Sequence, residues 1–347
     1  MWRRVRAACV AGMVLAGSMS AAETDTTYEI LGFEDLDGWA DDDHAAALAV
    51  FLETCGDMRD PDWSSLCAVA RETTDARDFF ELFFRPVMMK SGGDGLFTGY
   101  FEPELDGALE PSPRYRYPLY RMPPEAQVTR PWLTRREILT SGVMEGRDLE
   151  IAWVDDPVEL FFLQIQGSGR VRLPDGSHLR VGYGGANGHP YSSIGKELIR
   201  RGTMTEHEVS AQGIKSWVRG NPFDGEELLF HNDSYVFFRE VNEVPPERGP
   251  LGAMNRSITA MRSIAVDPAF TPLGAPVWIE KDGAEPMRRL MIAQDTGSAI
   301  KGAQRADIFF GTGAEAGSEA GKIKDAGRLV VLLPIQRAYA LLPESVL

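Results

Sequence analysis

Residues 295–313 have the sequence DTGSAIKGAQRADIFFGTG, and they contain the strongest chemical signal in the chain. Asp307 directly precedes an apolar strand predicted over residues 308–310, and it lies twelve residues after Asp295. Burial disfavours the charged form of a carboxylic acid, so apolar neighbours would raise the pKa of Asp307 and suit it to general-acid catalysis. A single aspartate at a strand start is more often a turn or capping residue. This stretch alone does not decide between that role and general-acid catalysis.

The same residues contain two short motifs of other protein classes. Residues 295–298 spell the active-site tetrapeptide of aspartic proteases, which need two carboxylates sharing a proton, and no second Asp-Thr-Gly or Asp-Ser-Gly occurs in the chain. Residues 311–313 resemble a dinucleotide-binding turn, but Gly317 comes too late for the third glycine, and residues 329–333 contain no acid for the ribose. A protease is therefore disfavoured, and a tight strand-to-helix turn is the favoured interpretation of the second motif.

A third polar segment is QIQGSG at residues 164–169. Glycine permits close approach of the backbone, and the glutamine amide both donates and accepts hydrogen bonds, as binding of sugar hydroxyls and amides requires. A β-turn with solvent-facing polar side chains accounts for the segment equally well. The run ELFFLQIQ at residues 159–166, which overlaps this segment, predicts a mostly buried strand.

Composition excludes several function classes. The chain has 347 residues, of which 36 are Lys or Arg and 51 are Asp or Glu, for a formal net charge of −15. That length accommodates two domains or one large one, and the acid excess argues against broad electrostatic binding of nucleic acid or anionic lipid. Five histidines and three cysteines form no CxxC or HExxH array, so we expect neither a metal nor another cofactor.

The first 22 residues predict a secretory signal peptide. A basic start at residues 2–6 precedes an apolar run at residues 7–17 and small residues at 20–22. The run is too short to span a bilayer and no later stretch approaches the required length, so we expect an exported protein without a transmembrane segment. Cleavage would remove three arginines and no acids, giving a net charge of −15 − 3 = −18.

Export leaves two cysteines, Cys55 and Cys67, in the mature chain. An even number of cysteines in an oxidising compartment predicts one disulfide. The two residues lie on consecutive predicted helices joined by a short turn, so they can meet, and closing so short a loop would stabilise the fold by about 3 kcal/mol. Two buried free thiols are the alternative.

The remaining pattern predicts helices first and strands later. Residues 40–86 predict helices with acidic N-caps and an end at Pro86. Strand-like sequence begins at Gly95, and the prolines between residues 103 and 124 suggest a crossing between domains. Further predicted elements are a capping-box helix from Thr134, a hairpin at 174–176, helices at 192–201, 205–219 and 314–324, and strands at 234–238, 258–265, 277–279, 289–293, 308–310 and 329–333.

Six segments form a joint pattern that is more specific than any one of them. They are LFTGYFEP (96–103), YPLYR (117–121), LQIQGSG (163–169), NGHPYSSIGK (187–196), SYVFF (234–238) and the opening stretch at 295–313. Together they resemble the membrane-bound lytic murein transglycosylase A family, whose C-terminal part is called the 3D domain after its aspartates. The resemblance covers about residues 90–335.

The resemblance implies a mainly β fold with N-terminal helices. Its main domain would be a double-psi β-barrel built from residues 23–108 and 235–347. A smaller β-rich domain, residues 109–234, would be inserted between these two parts. A glycan-binding groove would lie between the two domains.

The resemblance also implies the activity and the site. Such enzymes cleave the β-1,4 bond between N-acetylmuramic acid and N-acetylglucosamine in peptidoglycan glycan strands and leave 1,6-anhydromuramyl ends. Asp307 would be the catalytic acid and Asp295 a supporting residue. Candidates for glycan contacts or support are Thr98, Tyr100, Gln164, Gln166 and Ser168. A non-catalytic, expansin-like wall-binding protein on the same barrel is the alternative, in which Asp307 only holds a sugar.

The sequence departs from the family near its N-terminus. Family members are anchored to the outer membrane through an acylated cysteine, whereas residues 15–18 of this chain have the sequence LAGS. Ser18 occupies the place of the cysteine, and without a thiol no thioether-linked lipid can form. We therefore expect a soluble periplasmic protein of a Gram-negative bacterium.

Overall fold

The computed structural model describes residues 26–90, 95–245 and 247–341 and combines helices with two β-sheets. The predicted signal peptide and Ser18 lie outside the described residues. The strands are β1 (Thr27–Ile30), β2 (Phe84–Lys90), β3 (Leu96–Glu102), β4 (Glu104–Ala108), β5 (Tyr117–Tyr120), β6 (Glu150–Val154), β7 (Gly169–Arg172), β8 (His178–Ala186), β9 (Val236–Glu240), β10 (Ser263–Val266), β11 (Pro276–Lys281), β12 (Met287–Thr296), β13 (Arg305–Thr312), β14 (Lys324–Asp325) and β15 (Gly327–Pro334). The helices are α1 (His44–Thr54), α2 (Pro61–Glu72), α3 (Ala76–Phe83), α4 (Pro124–Val128), α5 (Arg135–Thr140), α6 (Pro157–Gln166), α7 (Ile194–Arg200), α8 (Ala211–Gly220), α9 (Pro222–Phe230), α10 (Gly313–Ala320) and α11 (Ile335–Ala340).

Acidic residues begin the three N-terminal helices, as predicted. The carboxylates of Asp43, Asp60 and Asp75 accept hydrogen bonds from backbone N–H groups in the first turns of α1, α2 and α3. These bonds satisfy donors that have no partner inside the helix. Cys55, directly after α1, and Cys67 on α2 are joined by a disulfide, with 5.5 Å between their Cα atoms.

The larger sheet has the strand order β1-β2-β15-β11-β12-β10-β13-β3-β14. The N-terminal helices pack on it around fully buried side chains that include Phe51, Phe84 and Trp278. The sheet is open, because β1 and β14 are edge strands that each pair with one neighbour among the described residues. The described strands therefore do not form a closed barrel.

Register within this sheet brings the predicted acids together. Strand β13 lies between β3 and β10, and its Asp307 is opposite Thr98 on parallel β3 and opposite Ala265 on antiparallel β10. A register shift after Ile264 then places Ala265 opposite Asp295 on β12. The two aspartates, twelve residues apart in sequence, thus lie on the same stretch of sheet, across β10 from each other.

The second sheet has the order β5-β6-β4-β7-β8-β9 and its own buried cores. The predicted hairpin is confirmed, since β7 and β8 pair in antiparallel register on either side of residues 174–176. The predicted capping box is also confirmed, because Thr134 and Glu137 exchange hydrogen bonds at the start of α5.

A buried carboxylate joins the two sheets. Glu102, at the end of β3, is fully buried and forms ion pairs with Arg170 on β7 and Arg180 on β8, at 2.9 and 3.0 Å. Its carboxylate also accepts a hydrogen bond from Thr312 at the end of β13, at 2.7 Å. Because a buried charge is tolerated only when it is paired, this cluster fixes how the second sheet meets the strands that carry the acids.

The strand predicted over residues 159–166 is wrong, because these residues belong to α6. Asp156 caps this helix through bonds from the N–H groups of Val158 and Glu159, Pro157 occupies its first turn, and Gly167 ends it with φ of 80°. A continuous apolar run does not distinguish a buried strand from a buried helix, and these flanking signals decide the question.

The chain is mixed helix and sheet rather than mainly β, and several other elements differ from their predicted bounds. Pro86 lies inside β2 rather than at a helix end, since α3 stops at Phe83. The helix predicted from residue 205 begins only at Ala211, where Ser210 caps it, and α9 follows without having been predicted. The strand predicted over residues 258–265 is limited to β10, because residues 258–262 form turns before the strand begins.

Candidate active site

A groove of about 750 Å³ lies between the two sheets and is lined by residues from both. The larger sheet contributes both aspartates, and the end of α6 with the turn after it contributes the polar segment singled out in the sequence. The predicted site residues that line the groove are Tyr100, Gln164, Gln166, Ser168, Asp295 and Asp307. The structure therefore brings together residues that are more than 200 positions apart in the chain, as Tyr100 and Asp307 are.

Asp307 is partly buried and is held by one neighbouring strand. The Thr98 hydroxyl on β3 donates a hydrogen bond to Asp307 Oδ1 at 2.5 Å. Burial raises the pKa of Asp307 above its ordinary value, while this hydrogen bond and the positive charge of Arg305 oppose the rise. A carboxyl group with a raised pKa that faces a groove has the properties of a general acid.

Asp295 is held by three donors. Its Oδ1 accepts hydrogen bonds from the backbone N–H groups of Ala253 and Thr296 at 3.1 and 2.9 Å, and its Oδ2 accepts one from the Tyr100 hydroxyl at 2.9 Å. Burial raises the pKa of Asp295 to about 6 against these bonds, and the nearby charge of Asp307 adds to the rise. Both oxygens of Asp295 are therefore occupied by protein donors.

Tyr100 connects the second acid to the groove wall. Burial and the charges of Asp295 and Asp307 raise the pKa of Tyr100 well above its ordinary value, so its hydroxyl keeps its proton and acts as a donor. Its ring packs against Phe309, with 5.3 Å between the ring centroids.

The two predicted glutamines differ in their surroundings. Gln164 is buried, and its Oε1 accepts a hydrogen bond from Arg135 Nη1 at 2.5 Å. Gln166 is only partly buried, and its Oε1 accepts a long bond of 3.4 Å from the backbone N–H of Phe101. Gln164 is thus part of the groove wall, whereas Gln166 presents its amide more freely.

Arg135 is a groove residue that sequence reasoning missed. Its guanidinium also donates to the backbone carbonyls of Asn232 and Ser234 at 3.0 and 2.6 Å, and burial lowers its pKa to about 10. In the sequence it sits in the first turn of a short, highly charged helix, where exposure is the usual expectation. No local signal indicates that this arginine is buried.

Other missed groove residues include two tyrosines and one arginine on the second sheet and its adjoining loop. Tyr183 and Tyr191 are 58% and 43% exposed and line the groove together with Arg239. Aromatic side chains that combine an apolar face with a polar edge suit the binding of sugars. Their sequence contexts, a glycine-rich strand and a proline-containing loop, gave no sign of their position.

Residues able to hold a metal are not grouped in the described part of the chain. Within residues 26–90, 95–245 and 247–341, no three His, Cys, Asp or Glu side chains are placed to bind one ion. No helix in the same ranges is long and apolar enough to cross a membrane.

Comparison with known proteins identifies the family. The family model described as the MltA specific insert domain matches residues 96–239, and that of the 3D domain matches residues 262–333. Membrane-bound lytic murein transglycosylase A of Vibrio cholerae is 35% identical over 268 residues, covering 73% of this chain and 70% of that protein. The chain belongs to the membrane-bound lytic murein transglycosylase A family. The Escherichia coli K12 member of the family is also 35% identical, over 250 residues that cover 69% of this chain and 66% of that protein.

Solved structures of the family have the same fold. The structure of MltA from Neisseria gonorrhoeae matches 89% of this chain and 93% of its own, with 34% identity and a TM-score of 0.78. A membrane-bound lytic murein transglycosylase from Agrobacterium tumefaciens matches 91% of this chain and all of its own, with 32% identity and a TM-score of 0.81. E. coli MltA with bound chitohexaose matches 84% of this chain and 89% of its own, with 28% identity and a TM-score of 0.71.

Proposed function

We propose that this family member is a peptidoglycan lytic transglycosylase in which Asp307 acts first as acid and then as base. Its substrate would be the β-1,4 bond between N-acetylmuramic acid and N-acetylglucosamine, and its product a 1,6-anhydromuramyl end. The names of its relatives and the open groove between the two sheets support this class of activity.

The observation that carries the assignment is the difference between the two aspartates. Both oxygens of Asp295 accept hydrogen bonds from the protein. Asp307 accepts one, from Thr98 to Oδ1, and no residue in the described part of the chain donates to its Oδ2. A general acid needs one oxygen free to carry the proton to the substrate, so Asp307 is the better candidate.

The proposed reaction begins with proton transfer from Asp307 to the glycosidic oxygen. The bond between C1 of the muramyl sugar and that oxygen breaks, and the muramyl 6-hydroxyl oxygen attacks C1 in place of water. The resulting Asp307 carboxylate accepts the 6-hydroxyl proton as the anhydro ring closes, which restores the acid. Most glycosidases need a second carboxylate as nucleophile or base, but here the nucleophile belongs to the substrate and is already positioned.

Asp295 would support the site without transferring a proton. Its hydrogen bonds hold Tyr100 and the backbone at Ala253 along the groove. The two carboxylates repel each other, so ionisation of either favours the protonated form of the other, and with Asp307 protonated the Asp295 carboxylate would stabilise positive charge developing at C1. Glycan contacts are proposed for Gln166 and Ser168, which line the groove at the end of α6.

The remaining expectations stay proposals. Parallel pairing of β10 with β12 and of β13 with β3 inside a mixed sheet is compatible with the double-psi connectivity. The strands of the proposed insert, residues 109–234, belong to the second sheet, which also contains β4 and β9 just outside those limits. Periplasmic location without a lipid anchor follows from the sequence at residues 15–18.

Digestion of purified sacculi, followed by mass spectrometry of the soluble products, tests the proposed function against its alternative. The wild-type protein should release muropeptides with anhydro ends, and Asp307→Asn should release none while melting at or above the wild-type temperature. A wall-binding protein would sediment with sacculi and release no soluble sugar from either form. Equal anhydro product from both forms would end the assignment of Asp307.

A further inference from the structure

Arg305 lies two residues before Asp307 on β13 and was not among the residues predicted for the site. Its Nη2 donates a hydrogen bond to Thr98 Oγ1 at 2.7 Å. Its Nη1 donates to the backbone carbonyls of Leu96 at 3.3 Å and of Ala306 at 2.5 Å. These bonds fix the guanidinium against β3, next to the hydroxyl that contacts the acid.

The chemistry of these groups determines the direction of each hydrogen bond. Guanidinium is a donor only, so Thr98 Oγ1 must accept from Arg305. A hydroxyl has one proton and two lone pairs, and among the described residues Asp307 Oδ1, at 2.5 Å, is the acceptor that this proton reaches. Oδ1 is therefore an acceptor, and a proton on Asp307 must reside on Oδ2.

We propose that Arg305 is a positioning residue that, through Thr98, keeps the transferable proton of Asp307 on Oδ2. Without Arg305 the Thr98 hydroxyl is free to reverse and accept a proton from Oδ1. Protonation of Oδ1 would direct the acid's proton to Thr98 instead of the glycosidic oxygen. This inference rests on the proposed function, since it assumes that Asp307 is the acid.

The charged and titratable groups around Asp307 show which of them lowers its pKa. Tyr100 and Asp295 face it from β3 and β12, and Arg305 from its own strand. On β14, Lys324 pairs with Thr98 in register but is exposed. Arg305 is the cation whose charge lowers the pKa of Asp307, so its removal should raise that pKa.

A double-mutant cycle in sacculus digestion tests the route through Thr98. Loss of a hydrogen bond to a charged group costs about 1.5–3 kcal/mol, so Arg305→Met and Thr98→Val should each lower kcat about 10- to 100-fold. The double variant should be no more than about threefold slower than the slower single variant, because both changes break the same hydrogen-bonded chain from Arg305 through Thr98 to Asp307. Effects that multiply in the double variant would overturn the proposal.

The pH profile and a conservative variant separate positioning from mere structural support. Arg305→Met should move the alkaline limb of the kcat/KM profile to higher pH by about one pH unit. Arg305→Lys should return the limb most of the way to its wild-type position. Arg328→Met is the matched control, since Arg328 is a half-buried arginine paired with Glu280 on another part of the sheet. It should change neither kcat nor the limb. If the alkaline limb of Arg305→Met stays at its wild-type pH while the melting temperature falls, Arg305 has a structural role only, and the proposal fails.

A carboxyl NMR titration keeps this test independent of the reaction. The Asp307 signal, assigned by its absence in Asp307→Asn, should titrate at higher pH in Arg305→Met than in the wild type. If the wild-type protein forms no anhydro product, the proposed function fails, yet this titration still reports on Arg305. An unchanged Asp307 pKa would overturn the inference even in an active enzyme.

Discussion

Thr98 and Asp307 lie directly opposite each other on the parallel strands β3 and β13, and the Thr98 hydroxyl donates to the Asp307 carboxyl group at 2.5 Å. The two residues are 209 positions apart in the chain. Their contact depends on the register of a single strand pair, and a slip of one residue would turn one of them to the opposite face of the sheet. The position of Asp307 is thus set by the backbone of the sheet rather than by a loop.

The raised pKa of Asp307 predicts how activity depends on pH. A general acid must be protonated, so kcat/KM should decline as the pH rises through the pKa of Asp307. Because burial raises that pKa, the decline should begin at a higher pH than an ordinary aspartate would allow. Initial rates of sacculus digestion across the pH range measure it. A profile that rises with pH through this range would contradict the role of Asp307 as acid.

Asp295→Asn should stabilise the protein at neutral pH. The folded-state pKa of Asp295 is about 6, above the ordinary value of 3.8, so the folded protein binds this proton more tightly than the unfolded chain does. The contribution of Asp295 to stability is therefore lost as the pH rises from about 4 to about 6. The variant should raise the free energy of unfolding by up to about 3 kcal/mol at pH 8 and leave it nearly unchanged at pH 3.

Urea unfolding at these two pH values measures the difference, and Asp267→Asn serves as a control, since Asp267 is a buried aspartate that directly follows β10. A gain that is equal at both pH values would show that the ionisation of Asp295 is not its cause.

The disulfide should contribute to stability without contributing to activity. Cys55 and Cys67 are 12 residues apart and lie among the N-terminal helices, while the groove is lined by other elements. Replacing both by Ala should lower the free energy of unfolding by about 3 kcal/mol and leave the 25 °C rate unchanged. Reductant should destabilise the wild type and leave the double variant unaffected. Alkylation of both thiols in unreduced protein would contradict the bond.

The two glutamines of the groove should respond differently to substitution. Gln164→Leu leaves the buried Arg135 Nη1 without its acceptor, so it should lower the free energy of unfolding by about 2 kcal/mol. Gln166→Leu removes a more exposed amide, so it should raise KM for a soluble glycan and leave stability nearly unchanged. Urea unfolding and steady-state kinetics on both variants provide the comparison. The reverse pattern would mean that Gln166 is the scaffold residue.

Local sequence signals predicted much of this structure. Acidic caps located the N-terminal helices, the Thr134 capping box located α5, and alternation located the β7–β8 hairpin. Asp307 was singled out as a carboxyl group before an apolar strand, whereas the supporting role of Asp295 came only from the family resemblance. The resemblance then selected among the interpretations that chemistry had left open.

The failures have physical causes. Residues 160–163 form a continuous apolar run, a pattern shared by buried strands and buried helices, and the prediction gave too little weight to Asp156, Pro157 and Gly167. Arg135 and Arg305 act through contacts with residues far away in sequence. No window of local sequence contains the pairing of β3 with β13 that gives Arg305 its partner.

The most direct test of the central claim is digestion of sacculi in water enriched in heavy oxygen, followed by mass measurement of the new glycan ends. Intramolecular attack by the 6-hydroxyl adds no water, so the account predicts unlabelled anhydromuramyl ends from the wild type and no product from Asp307→Asn. Labelled reducing ends from the wild type would mean that water is the nucleophile, and they would contradict the single-acid transglycosylase.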